Sequence, residues 1–244
     1  MGDPAGPLLS VRADARQTVA PDYATLAGAI ATMQESRPEA LRAAARDLEH
    51  LTAGLAALGG VPLDAQSGRR PLTWSAQSAT TRAERDHDEQ SGRYELTGRV
   101  TATVAVIITV RAFELLDAVG AVLAAQQTLS VHDVSWDADW DNPAWPAVRA
   151  AAIRAAIRKG RDYAAALGGS LDRVEHIADA GLLGGSDSTS FQFSSRSSRA
   201  LRSGGDDGDV PSLDPVPQEL TAVIEARFTA AGVALTEPGP AAAG

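Results

Sequence analysis

YELTGRVTATVAVIITV, residues 94–110, places Val100, Ala102, Val104, Val106, Ile108 and Val110 at every second position, with Thr101, Thr103 and Thr109 between them. Side chains of an extended chain alternate between two faces, so this period predicts a long strand with one buried face. The apolar part is far short of the roughly 20 residues that cross a bilayer. The same period recurs on both sides. Leu9, Val11, Ala13 and Ala15 alternate with Ser10, Arg12, Asp14 and Arg16, and after the turn chemistry of Pro21-Asp22, residues 23–32 read as a second strand. Downstream, residues 129–136 and 171–178 have strand-like content, and Leu220, Ala222, Ile224, Ala226 and Phe228 alternate with Thr221, Glu225, Arg227 and Thr229 in a closing strand.

Between these strands the period changes to that of a helix. Ser36 and Glu39 have capping-box spacing, and Leu41, Ala44, Ala45, Leu48, Leu51, Leu55 and Leu58 recur on one face until Gly59-Gly60 stops them. Leu115, Leu116, Val119, Val122 and Leu123 predict a short second helix. Asn142-Pro143 reads as the start of a third, whose stripe of Ala150, Ile153, Ile157, Gly160, Ala164 and Leu167 ends at Gly168-Gly169. Residues 61–78 predict a short extended segment, and 79–92, polar and charged, an exposed hairpin loop. Strands precede, separate and follow helices, so the class is α+β. The expected organisation is a flexible start (1–7), an α+β domain (8–180), a mobile Gly/Ser/Asp-rich loop (181–214), a closing strand of the same domain (215–230) and a disordered tail (231–244).

Composition excludes several classes of function. The 244 residues are 44% hydrophobic and 22% charged, as in ordinary folded chains. There is no cysteine, hence no disulfide framework, thiolate metal site or cysteine nucleophile. A formal charge of −9 repels a nucleic-acid backbone, so nucleic acid is not an expected partner. Among the basic residues only Lys159 is a lysine. The first residues lack the basic start and apolar core of a secretion signal, which predicts a cytoplasmic protein.

Five pieces in order resemble the SIMPL-domain family: the first strand running into Val19-Ala20-Pro21-Asp22-Tyr23-Ala24; the alanine-rich helix closing on Leu58-Gly59-Gly60-Val61; the 94–110 strand followed by Phe113-Glu114-Leu115-Leu116-Asp117; the alanine-rich helix over 147–167; and Leu167-Gly168-Gly169-Ser170-Leu171-Asp172-Arg173-Val174 with the strand at 218–229. Family members often have glycine in the first strand where this chain has Ala13 and Ala15, and many bacterial members carry a secretion signal. The resemblance implies mainly antiparallel sheets packed with about three helices. It implies an interaction or self-assembly module, linked in bacteria to stress tolerance and in animals to binding of a signalling kinase, with no catalytic residues or cofactor to transfer. The expected partner is a second copy or another protein.

Residue chemistry offers one alternative. Asp137, Asp139 and Asp141 have the spacing of the first three ligands of a calcium loop, with His132 and Asp133 nearby, but Asn142 and Val148 stand where that loop needs glycine and glutamate. No metal site is therefore expected, and the carboxylates read as a solvated turn before a helix N-terminus. Trp136, Trp140 and Trp145 bracket this turn, so Trp136, Asp137, Asp139, Trp140 and Trp145 form a candidate ligand or interface patch; the competing reading is core packing, which also fits Trp74. Gly184-Gly185-Ser186-Asp187-Ser188 is one residue from a nucleophile elbow, with His176 the nearest base in sequence, but it falls in the loop expected to be mobile. His50 and His87 have no ligand-spaced partner, and no phosphate-binding loop occurs. The chain is thus expected not to be an enzyme.

Overall fold

The computed structural model describes residues 6–64, 69–88, 92–182 and 213–233. The elements follow one another as β1 (Leu8–Val19), β2 (Tyr23–Gln34), α1 (Arg37–Ala57), β3 (Val61–Pro62), β4 (Leu72–Ala76), β5 (Thr80–Asp88), β6 (Arg93–Val110), a 3₁₀ turn (Phe113–Leu115), α2 (Leu116–Ala124), β7 (Leu129–Asp137), α3 (Trp145–Ala166), β8 (Ser170–Asp179) and β9 (Gln218–Ala231). The class is α+β, as the change of period required. Two compact units are built from these pieces. One comprises 20–139 together with the described residues 213–218, and the other combines the chain up to Val19 with the stretches that resume at Trp140 and Glu219.

In the 20–139 unit a six-stranded sheet has the order β3-β4-β6-β2-β7, with β5 also on β6. Every pairing in it is antiparallel except that of β3 with β4. The alternating residues of β6 do face the core: Ala102, Val104, Val106, Ile108 and Val110 are buried, together with Ala24, Leu26 and Ile30 of β2 and Leu51 and Leu55 of α1. Two polar contacts fix how α1 lies on the sheet. The buried Thr32 hydroxyl donates to the Ala40 carbonyl at 2.9 Å, and the Thr128 hydroxyl donates to the Asp47 carboxylate at 2.8 Å.

Both long helices end by the same device. At the end of α1 Gly59 has φ +81°, and the Gly59 and Gly60 amides bond back to Ala56 and Leu55; at the end of α3 Gly168 has φ +75°, and the Gly168 and Gly169 amides bond to Ala165 and Ala164. The left-handed residue is glycine because a Cβ is strained there, and the doubled glycine expected as a stop signal is this motif. At the start of α1 Ser36 makes no side-chain bond to the backbone, and its hydroxyl instead donates to Glu39 at 2.8 Å. The helix expected from Asn142 starts at Trp145, because the Asn142 side-chain oxygen accepts from the Ala144 amide and its carbonyl from the Trp145 amide in a preceding turn.

In the second unit a three-stranded sheet has the order β1-β9-β8. Ala152, Ala156, Gly160 and Ala164 form the buried stripe of α3, and Leu220, Ile224, Ala226 and Phe228 the buried face of β9. A Cβ at Gly160 would lie 3.1 Å from the Phe228 ring and 3.2 Å from Leu171, so glycine sets the closest approach of helix to sheet.

Two further expectations are corrected. Of the stripe expected on α3 only Gly160 and Ala164 are buried, and Ile153 is exposed, because the row facing the sheet runs through Ala152 and Ala156. Residues 80–88, read as part of a hairpin loop, form strand β5, paired with β6 from Thr80↔Thr103 to Asp88↔Arg93. The reading followed apolar content, whereas a strand pairing only at its edge satisfies its backbone groups without an apolar face. The pairing slips between Ala83 and Arg85, opposite Gly98 at φ +77° on β6. The expected mobile loop and tail fall almost wholly on residues 183–212 and 234–244, outside the described residues.

A second slip in register, at Ala27/Gly28 on β2, leaves His132 of β7 as the extra residue. Gly28 pairs with the preceding Val131, where a Cβ would meet the Ser130 carbonyl oxygen at 2.9 Å and Leu129 at 3.3 Å. The Gly28→Ala substitution is expected to lower unfolding free energy by about 1–3 kcal/mol in urea titrations, since backbone and not a flexible side chain has to yield.

Candidate functional site

The residues proposed from the sequence separate into different environments. Trp136 is buried in the core of the 20–139 unit, edge-on to Phe113 at 5.4 Å between ring centroids. Trp145 is buried as the first residue of α3, with the Arg149 guanidinium 5.1 Å from its ring. Trp74 is buried in β4. Trp140 is 81% exposed. Core packing thus accounts for three of the four tryptophans.

The carboxylates of the turn belong to an ionic cluster at one end of the six-stranded sheet. Strand pairing brings Tyr23 opposite Asp137 and Ala24 opposite both Val110 and Trp136, so the start of β2, the end of β7 and the residue after β6 converge. Arg111 follows Val110, and its backbone is held by the Pro71 carbonyl, which accepts from the Arg111 amide at 2.8 Å. Its guanidinium donates to both oxygens of Asp139, at 2.7 and 3.1 Å, and stands 4.7 Å from the Tyr23 ring centroid. The Asp139 amide donates to the Asp22 carboxylate at 2.7 Å, and the Asp22 amide to the Asp137 carbonyl at 2.8 Å. Arg69, half exposed, adds a second cation 3.5 Å from Asp139.

This geometry explains Asp139 without a metal. A guanidinium offers two parallel N–H bonds that match a carboxylate, and both Asp139 oxygens are used in that way. Among the described residues no group of three or more histidine, aspartate or glutamate side chains is disposed to hold a metal ion. Asp137 accepts from the Ser135 hydroxyl at 3.3 Å. His176 lies on β8, and residues 184–188 are outside the described residues.

Arg111 and Tyr23 were not among the residues singled out from sequence. The signal for Arg111 was its parity: it continues the odd-numbered, outward row of Thr101, Thr103 and Thr109 at the point where the apolar run stops. Its pairing with Asp139, 28 residues away, follows only from the order of strands.

The family model for SIMPL, proteins of unknown function (DUF541), matches residues 9–228. The chain belongs to the SIMPL family. No curated protein matches it. No helix among the described residues of this SIMPL protein is long and apolar enough to cross a membrane.

Two expectations test the cluster. Arg111→Ala leaves the partly buried Asp139 without its fork and is expected to cost about 2 kcal/mol in urea unfolding, the size of a charge-assisted pair lost from such a site, while Arg111→Lys recovers only part of it. Burial pushes the Tyr23 phenol above its ordinary value of 10.0, reinforced by the Asp137, Asp139 and Asp22 carboxylates and opposed by Arg111. The unfolded chain then releases this proton at lower pH than the folded chain does. The contribution to stability is intact below pH 10.0 and declines as pH rises through the folded value. Tyrosinate absorbance of the wild type minus that of Tyr23→Phe should isolate a phenol ionising above 10.0.

Proposed function

We propose that this SIMPL protein is a non-enzymatic interaction module that associates with further copies of itself through an open sheet edge. One observation carries the reading. The three-stranded sheet ends on β8, where among the described residues no strand pairs with the outer edge, and Val174 and Ile177 on that strand are 53% and 51% exposed. An unpaired row of backbone donors and acceptors beside exposed apolar side chains is a template for another strand. Identical subunits meeting by a self-complementary surface close into discrete symmetric particles.

The Arg111–Asp139 cluster fits a structural part in such a module. Its bonds tie together the ends of β2, β6 and β7, and its charges face each other. The alternative, a small ligand at the Trp136/Asp139/Trp140 turn, rests on the exposed Trp140 alone, because Trp136 is packed in a core and Asp139 is held by Arg111.

Light scattering coupled to size exclusion, at loading concentrations spanning two decades, is expected to give a discrete mass at a multiple of 25.2 kDa. A mass of one chain at every concentration would remove this reading and leave the exposed tryptophan turn as the next candidate.

A further inference from the structure

Strand β8 reads Ser170-Leu171-Asp172-Arg173-Val174-Glu175-His176-Ile177-Ala178 before Asp179, and it is self-complementary about Val174. Laid antiparallel on a second copy with Val174 facing Val174, Arg173 meets Glu175, Asp172 meets His176, Leu171 meets Ile177 and Ser170 meets Ala178. Each charged residue from Asp172 to His176 finds an opposite or hydrogen-bonding partner, each large aliphatic finds another, and no like charges are opposed. We propose that β8 is the homotypic interface, pairing antiparallel with β8 of a second copy across a two-fold axis at Val174. The proposal rests on the self-association reading above and names its surface and register.

The shape of β8 supports this occupant over an arbitrary strand. The register against β9 slips between Leu171 and Arg173 and again between Val174 and His176, which makes Asp172 and Glu175 extra residues. Leu171, Val174 and Ile177 consequently pair with Ala230, Phe228 and Ala226 and share one face. A period of three replaces the usual two, so the apolar residues form a row along the edge in spite of the charges between them. Slips and charges are devices that discourage indiscriminate edge pairing. A foreign strand meets irregular backbone and unmatched charge, whereas an identical strand supplies the complementary charges from Asp172 to His176.

Two other edges, β1 and β5, are worse candidates. On β1, at the opposite edge of the same sheet, the Lys159 ammonium donates to the Arg12 carbonyl at 3.2 Å, so an acceptor on that strand is already engaged by a charged side chain. Strand β5 has only Ala83 as an apolar residue between Thr80 and Asp88. Within one chain Arg173 already donates to Glu175 at 2.6 Å, and both are solvent-accessible. That pair has to exchange partners on association, and the experiment must separate the two arrangements.

Charge reversal does so. Arg173→Glu opposes two glutamates across the axis and Glu175→Arg opposes two arginines, so each variant alone is expected to associate roughly tenfold more weakly or worse by light scattering. An equimolar mixture of the two restores opposite charges across the axis although neither chain has an internal pair, and it should associate heterotypically. The double variant should behave as wild type. Because the chain has no cysteine, Val174→Cys supplies a lone thiol, and the self-opposed position lies within disulfide reach, so mild oxidation should give a crosslinked dimer. If wild type assembles while the single variants assemble equally well and Val174→Cys fails to crosslink, the β8 interface is wrong and self-association stands. If the single variants dissociate but their mixture does not recover, only the internal pair mattered and the β8 interface is again wrong. A monomeric wild type at all concentrations overturns both readings.

Discussion

Close approach of helix backbone to sheet, permitted by alanine and glycine, is the constraint on which the rest of the molecule depends. In the second unit α3 presents Ala152, Ala156, Gly160 and Ala164 to the sheet, and the space above Gly160 is filled by Phe228 and Leu171. In the 20–139 unit α1 does the same with Ala40, Ala43 and Ala44 near its start, and only later with Leu51 and Leu55. Small side chains bury little area each, so the strands opposite supply the bulk: Val104, Val106, Ile108, Leu26 and Ile30 in one sheet, Leu220, Ile224 and Phe228 in the other. Packing of this kind tolerates little displacement. A methyl group at the wrong place meets backbone, and a missing one opens a gap.

That intolerance explains where polar contacts were placed. The Thr32 hydroxyl on the Ala40 carbonyl and the Thr128 hydroxyl on Asp47 restrain α1 along and across the sheet. At one end of the sheet Arg111, Asp139 and Asp22 link three strand ends by bonds that have a required direction. The fork of Arg111 on Asp139 also offsets the concentration of acid there, since Asp22, Asp137 and Asp139 approach the half-buried Tyr23 together. Apolar burial is non-directional, and these few directional contacts select one arrangement among those that bury similar area.

Much of the fold was legible because it is written in short-range periods. The alternation from Val100 to Val110 reports a face, Gly59-Gly60 and Gly168-Gly169 report helix ends, and each can be read without knowing what lies opposite. Strand β5 was missed as a strand because its order comes from β6 and not from its own composition. The candidate site was legible only in part. Asp139 stood out as a carboxylate in a pattern, but the residue that decides its chemistry is Arg111, and the two meet through the pairing of β2 with both β6 and β7. His132 drew notice beside Asp133 and is the extra residue of a register slip, a backbone event that Gly28 reflects from the neighbouring strand.

Edges are where the same sequence logic turns outward. A three-stranded sheet has two edge strands for every central one, so most of its backbone capacity at the rim has to be disposed of. On β1 the protein uses its sole lysine, Lys159, against a strand carbonyl, and Arg16 lies 3.5 Å from both Asp14 and Glu219. On β8 it uses two register slips, which break the regular ladder but line up Leu171, Val174 and Ile177 on one face. The first device protects by occupying a group, and it works against every partner alike. The second protects by breaking the ladder, and it leaves Val174 and Ile177 exposed. Under the proposed pairing, an edge that carries both irregularity and charge is selective, and the strand that supplies the complementary charges is a second β8.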